Sequence, residues 1–148
     1  MNPSFVRARI LEDHASLRRQ LKELEQAVDE MHGDPSQCDN VIEIACQILT
    51  ALVKHTELED SILAPALREI DAWGSIRATL LLDHHATQRT QLRELVEDYE
   101  RPENPERIAR FTLAWIREVR ADMAHEEMDV LSAALLKDDP IAVAMESG

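Results

Sequence analysis

The sequence predicts an all-α chain, an up-down-up-down four-helix bundle with an internal two-fold pseudo-repeat. Composition is the first ground. The 148 residues include only 3 Gly and 6 Pro, with 3% aromatic residues, whereas the strong helix formers Ala, Leu, Glu and Arg are abundant. Punctuation is the second: Asn2-Pro3, Asp34-Pro35 and Asn104-Pro105 each couple an N-cap residue to a proline suited to the first helical position. Third, apolar residues recur at spacings of three and four between these signals. A chain of this length makes one domain with a single sizeable core, expected over residues 1–140, followed by a C-terminal tail over 141–148.

The first helix is expected over 3–31, with the stripe Val6, Ile10, His14, Leu17, Leu21, Leu24 and Val28, and with Gly33 as a left-handed C-cap. The second is expected over 35–63, carrying Val41, Ile44, Ile48, Leu52, His55, Glu59 and Ile62. Pro65 should break it, leaving a short turn through about residue 71. Gly74 and Ser75 precede a third helix over 75–100, whose stripe runs through His85, Leu92, Leu95 and Tyr99. The segment Arg101-Pro102-Glu103-Asn104 leads to a fourth over 105–137, stopping near Asp139-Pro140. Its inward face reads Phe111, Trp115, Glu118, Asp122, His125 and Asp129, so acidic residues replace apolar ones towards its end. Trp73 and Trp115 are read as packing residues.

A formal net charge of −13 argues against nucleic acid and anionic membranes as partners, because the phosphate attraction has the wrong sign. Cys38 and Cys46 lie eight apart on one expected helix, ~12 Å along its axis and beyond disulfide reach. There is no CxxC motif, no apolar stretch after Met1 of the kind a secretory signal needs, and no run long enough to cross a membrane. A reducing, cytoplasmic setting is the expectation.

Four histidines repeat along the chain. His14 and His85 open similar segments, each His-Ala followed by Ser or Thr, at an offset of 85 − 14 = 71. His55 with Glu59 and His125 with Asp129 repeat as His-x-x-x-carboxylate at 125 − 55 = 70. In an alternating bundle all four histidines fall ~15 Å from the same end, so they should share one layer. Taken singly, a histidine on an apolar face is more often a hydrogen-bonded core residue, and an i,i+4 polar pair is an ordinary surface partnership. Together, four inward imidazoles and two carboxylates are costly to bury without a cation. Structural zinc favours four ligands and thiolates, and calcium or magnesium favours oxygen. This mixed nitrogen–oxygen set suits two iron ions, oxo- or hydroxo-bridged, with manganese or zinc as other occupants.

The segment His55-Thr56-Glu57-Leu58-Glu59-Asp60-Ser61-Ile62-Leu63-Ala64-Pro65 resembles the second-helix signature of the hemerythrin-like, or HHE cation-binding, family. Asp13-His14 is similar to its first-helix motif, and His125 with Asp129 to its fourth; the resemblance spans roughly residues 6 to 137. It implies a four-helix bundle around a non-heme di-iron centre that handles oxygen, nitric oxide, peroxide or iron. One departure is plain. The oxygen carriers use His-x-x-x-His on the third helix, whereas Arg89 stands four after His85 and Gln88 four after His84. Arginine stays protonated and cannot ligate. Four histidines look more like the family's iron-centre repair proteins and its iron- and oxygen-sensing domains.

The metal set expected is therefore His14, His55, Glu59, His85, His125 and Asp129. His84 competes with His85, but neighbours on a helix point ~100° apart and the repeat favours His85. Asp122, one turn before His125, is a candidate acceptor behind an imidazole; Glu126 is a candidate extra carboxylate, and Glu127 should face solvent. Three functions remain open at this level. One is a protein that binds or senses O2, NO or the iron and redox state. Another is an enzyme turning over peroxide or NO, or supporting iron-centre repair. The third is a metal-free acidic helical interaction module.

Overall fold

The computed structural model describes residues 1–101 and 104–138; the tail expected at 141–148 and the stop at Asp139-Pro140 lie outside them. Helix α1 runs Pro3–Gly33. Asn2 opens it through its carbonyl, which accepts from Phe5 and Val6 N–H, and its side chain makes no cap. Gly33 is not left-handed. The helix continues through it and is closed by Asp34, whose N–H reaches the Glu30 and Met31 carbonyls. The Asp34 side chain then caps a 3-10 turn, Pro35–Gln37, accepting from the Ser36 N–H at 3.1 Å and hydroxyl at 2.6 Å.

Helix α2, Cys38–Leu58, does not break at Pro65 as expected. It widens into a π turn, Glu59–Leu63, and resumes as α3, Ala64–Ile70. A proline lacks the N–H for the i−4 carbonyl and crowds it. The extra residue of the π turn absorbs that crowding just before Pro65, where the Ala64 N–H bonds back to the Glu59 carbonyl. Helix α4 is Gly74–Glu100. Glycine is required at its start, since a Cβ on Gly74 would run into the Leu67 carbonyl oxygen and lie 2.9 Å from the Arg68 backbone. Trp73, just before it, is 63% exposed and is not a packing residue, unlike the buried Trp115.

Helix α5, Pro105–Met128, is capped by the Asn104 side chain accepting from the Arg107 N–H at 2.8 Å. It ends nine residues before the expected 137 (137 − 128 = 9). No Gly or Pro stops it. The chain instead leaves the helix so that Val130, Leu131 and Leu136 are buried against Val6, Ile10, Leu63, Leu67 and Leu81.

Among the described residues the chain is all-helical, four long helices and the short α3 forming a helical bundle, and no helix is long and apolar enough to cross a membrane. Its core is in two parts. One is built from Leu17, Leu21 and Leu24 of α1, Ile48 and Leu52 of α2, Leu92 and Leu95 of α4, and Trp115 to Met123 of α5. The other is the smaller cluster around Ile10, Leu63 and Leu81. Along every long helix a polar residue separates the two clusters: His14 on α1, His55 and then Glu59 leading out of α2, His85 on α4, Glu126 on α5.

Candidate metal centre

His14 and His85 are fully buried, His55 is 5% and Glu59 1% exposed. Each imidazole faces two ways. On the outer side its Nδ1 donates to a carboxylate: His14 to Glu127 Oε2 at 2.7 Å, His55 to Asp13 Oδ2 at 2.6 Å, His85 to Asp60 Oδ1 at 2.6 Å. These bonds orient the rings and turn every Nε2 inward. Arg18 holds Glu127 in place with two bonds of 2.8 and 2.9 Å.

On the inner side the atoms crowd together. His14 Nε2 lies 3.2 Å from both His55 Nε2 and Glu126 Oε1. Glu59 Oε1 lies 2.8 Å from His55 Nε2 and 3.3 Å from His85 Nε2. One ligand atom from each of His14, His55, Glu59 and Glu126 falls within 4.8 Å of the others, close to the ~4 Å span of ligands at ~2 Å from one ion. Among the described residues, the buried side-chain polar atoms without a hydrogen-bond partner are Glu59 Oε2, His85 Nε2 and Glu126 Oε1. All three belong to this layer. An orphaned buried acceptor costs about 1–3 kcal/mol, a cost that bound cations would relieve.

Protonation shows the same shortage of positive charge. Burial, and then the Glu59 carboxylate beside it, push Glu126 up to about 11, so it keeps its proton. Glu59 is held well below the usual carboxylate range despite its burial, by hydrogen bonds from Glu126 and His55 and by the His85 imidazole facing it at 3.3 Å. Burial opposes the charged forms of His55 and His85, but Glu59, with Asp13 behind one and Asp60 behind the other, outweighs it and raises both. Burial wins at His14, which is lowered. Without a metal, protons neutralise the paired carboxylates; the donor set fits a cation that would replace them.

A family model, the hemerythrin HHE cation binding domain, matches residues 6–135. The chain belongs to that family. No curated protein and no solved structure gives a match.

Within this hemerythrin-like centre, His14, His55, Glu59 and His85 come together. His125 and Asp129 do not join them. Position 126, not 125, faces inward on α5, so His125 is exposed. Asp129 sits past the helix end with φ −104° and ψ −95°, which removes it from the face an i,i+4 partner would share. Both line a surface cavity of about 170 Å³, together with His84, Leu81, Asp122 and Glu126. His84 is exposed, 3.9 Å from Asp122. Asp122 accepts from the Gln88 side chain at 3.2 Å, not from an imidazole N–H.

Glu127, expected in solvent, is only 24% exposed and serves His14 and Arg18. Glu126, a candidate extra carboxylate in the sequence, takes the inward place on α5, whereas the backing role of Glu127 was not foreseen. A signal for Glu126 existed: 126 − 55 = 71, the same offset as 85 − 14.

Proposed function

We propose that this hemerythrin-like chain is a non-heme di-iron protein that binds or senses a small ligand such as O2 or NO, or responds to iron and redox state. The observation that carries the reading is the convergence of three orphaned buried atoms, on Glu59, His85 and Glu126, upon the facing Nε2 atoms of His14 and His55. Two iron ions held there would supply one-electron redox chemistry and Lewis acidity towards a small ligand. Three buried imidazoles and two carboxylates suit iron better than calcium or magnesium, which favour all-oxygen sites; manganese and zinc are the other candidate occupants.

The chain's own residues do the rest. Asp13, Asp60 and Glu127 orient the imidazoles. The apolar clusters, ending at Leu17 and Leu52 above and Ile10 and Leu63 below, close the layer on those two sides. The cavity beside Glu126, about 170 Å³, has room for a diatomic or peroxide-sized molecule. The reading takes the bundle as up-down-up-down, with the two halves related by the histidine repeat. It places the protein in the cytoplasm, in keeping with two free cysteines.

Titration of the reduced, iron-loaded protein with NO, followed by visible absorption, tests the function. One ligand bound per iron pair, released under vacuum or by a scavenger, is the expected result. An iron-loaded protein whose spectrum ignores both NO and O2 would refute it.

A further inference from the structure

We propose that the centre holds its two cations unequally, a tight inner one between His14, His55, Glu59 and Glu126, and a weaker, exchangeable outer one held by His85, Glu59, Glu126 and Asp122. This rests on the cation-binding reading above and adds to it that the outer position equilibrates with the surrounding metal supply.

The inner set is already assembled, with two imidazoles and two carboxylates inside 4.8 Å. Glu59 Oε1 and Glu126 Oε1 are the oxygens that face the Nε2 atoms of those imidazoles. An ion using them leaves Glu59 Oε2 and His85 Nε2 unserved. Both residues are at most 1% exposed and neither atom has a hydrogen-bond partner. Protein packing has no other group to offer them, so the second ion belongs there.

The remaining ligand comes from the cavity wall. Asp122 lies one helical turn before Glu126 on α5 and lines the same cavity. The Gln88 side chain holds its Oδ2 at 3.2 Å, leaving Oδ1 with only His84, at 3.9 Å. The two imidazoles on the cavity wall, His84 and His125, are exposed rather than buried in the layer. Arg89, one turn after His85, is 45% exposed, leans on Asp60 at 3.8 Å and cannot ligate. One imidazole instead of two weakens the hold on a transition ion, and the cavity lets water and chelators reach it.

The test is anaerobic titration of the metal-free full chain with cobalt(II) alone, read by visible absorption and calorimetry. Two ions are expected, the second bound at least about tenfold more weakly and removed first by a chelator. Asp122→Asn keeps the Gln88 contact and should weaken the second ion by a further factor of about ten, leaving the first within about twofold. His85→Ala should abolish the outer ion alone, which keeps the test open if the first variant folds poorly. Asp129→Asn, on the same cavity, should leave both ions unchanged. Two ions of equal affinity, or a second ion indifferent to Asp122→Asn and His85→Ala, overturn the proposal while cation binding stands. A chain that takes up no cobalt overturns both.

Discussion

Replacing Glu126 by Gln should make the metal-free protein more stable while removing its metal site. In the folded chain the Glu126 carboxyl is 12% exposed and holds its proton up to about 11, first because it is buried and then because Glu59 faces it. In the unfolded chain it ionises near 4.5. A carboxyl whose folded pKa is raised costs nothing below its unfolded pKa and destabilises increasingly as pH rises above it. At pH 7 the gap is about 2.5 pH units, or roughly 3 kcal/mol at ~1.4 kcal/mol per unit. Glutamine keeps the shape and a donor for Glu59 but has no proton to retain. Glu126→Gln should therefore gain about 3 kcal/mol without metal, roughly 6–12 °C in Tm for a domain of this size. Wild type should overtake it once metal is present, since saturation at 1,000 times Kd contributes about 4 kcal/mol. The assay is urea or thermal unfolding at pH 7, with a chelator and then with iron(II) under anaerobic conditions. A metal-free variant no more stable than wild type, or one that keeps full metal affinity, would refute the reasoning.

Four other outcomes follow from the structure. Metal loading at pH 7 should release on the order of two protons per chain, from Glu126 and from His55 and His85, whose raised pKa values keep part of their protons on; a weakly buffered indicator titration reads this directly. The same shifts make the metal-free protein gain stability as pH falls from about 8 towards 5.5, because the folded state binds more protons than the unfolded one there, and unfolding midpoints across that range check it. Asp13→Asn or Glu127→Gln should lower metal affinity about 10–100-fold by loosening one imidazole each, measured by chelator competition, whereas Asp129→Asn should not. Gly74→Ala should cost at least about 2 kcal/mol by denaturant unfolding, since the clash is with backbone at Leu67 and Arg68 that cannot swing aside.

Helix starts were legible because they are local. Asn2-Pro3 and Asn104-Pro105 mark α1 and α5 to the residue. The inward positions of His14, His55 and His85 were legible because 3.6-residue periodicity places them among buried neighbours. Helix ends were harder. Pro65 breaks a helix by the local rule, yet the π turn at Glu59–Leu63 carries the chain past it. The end of α5 is set by what Val130 and Leu131 bury against on α1 and α3, which no signal near Met128 announces.

Glu126 ranked behind His125 and Asp129 in the sequence for a related reason. Matching His125 to His55 follows residue type, at an offset of 70; the fold keeps the face, at an offset of 71, and there the residue is Glu126. The pairing of His14 with Glu127 and Arg18 joins residues 109 and more positions apart and depends on α1 packing on α5.

The central claim is that the buried layer of His14, His55, His85, Glu59 and Glu126 exists to hold metal. Elemental analysis of the full chain after iron-replete expression and anaerobic reconstitution tests it most directly, with Glu59→Ala alongside. The account predicts up to two iron atoms per chain in the wild type, near-ultraviolet charge-transfer absorption on oxidation, and loss of most of the iron in the variant. Less than one metal atom of any kind per wild-type chain after reconstitution, or equal iron in Glu59→Ala, would contradict it.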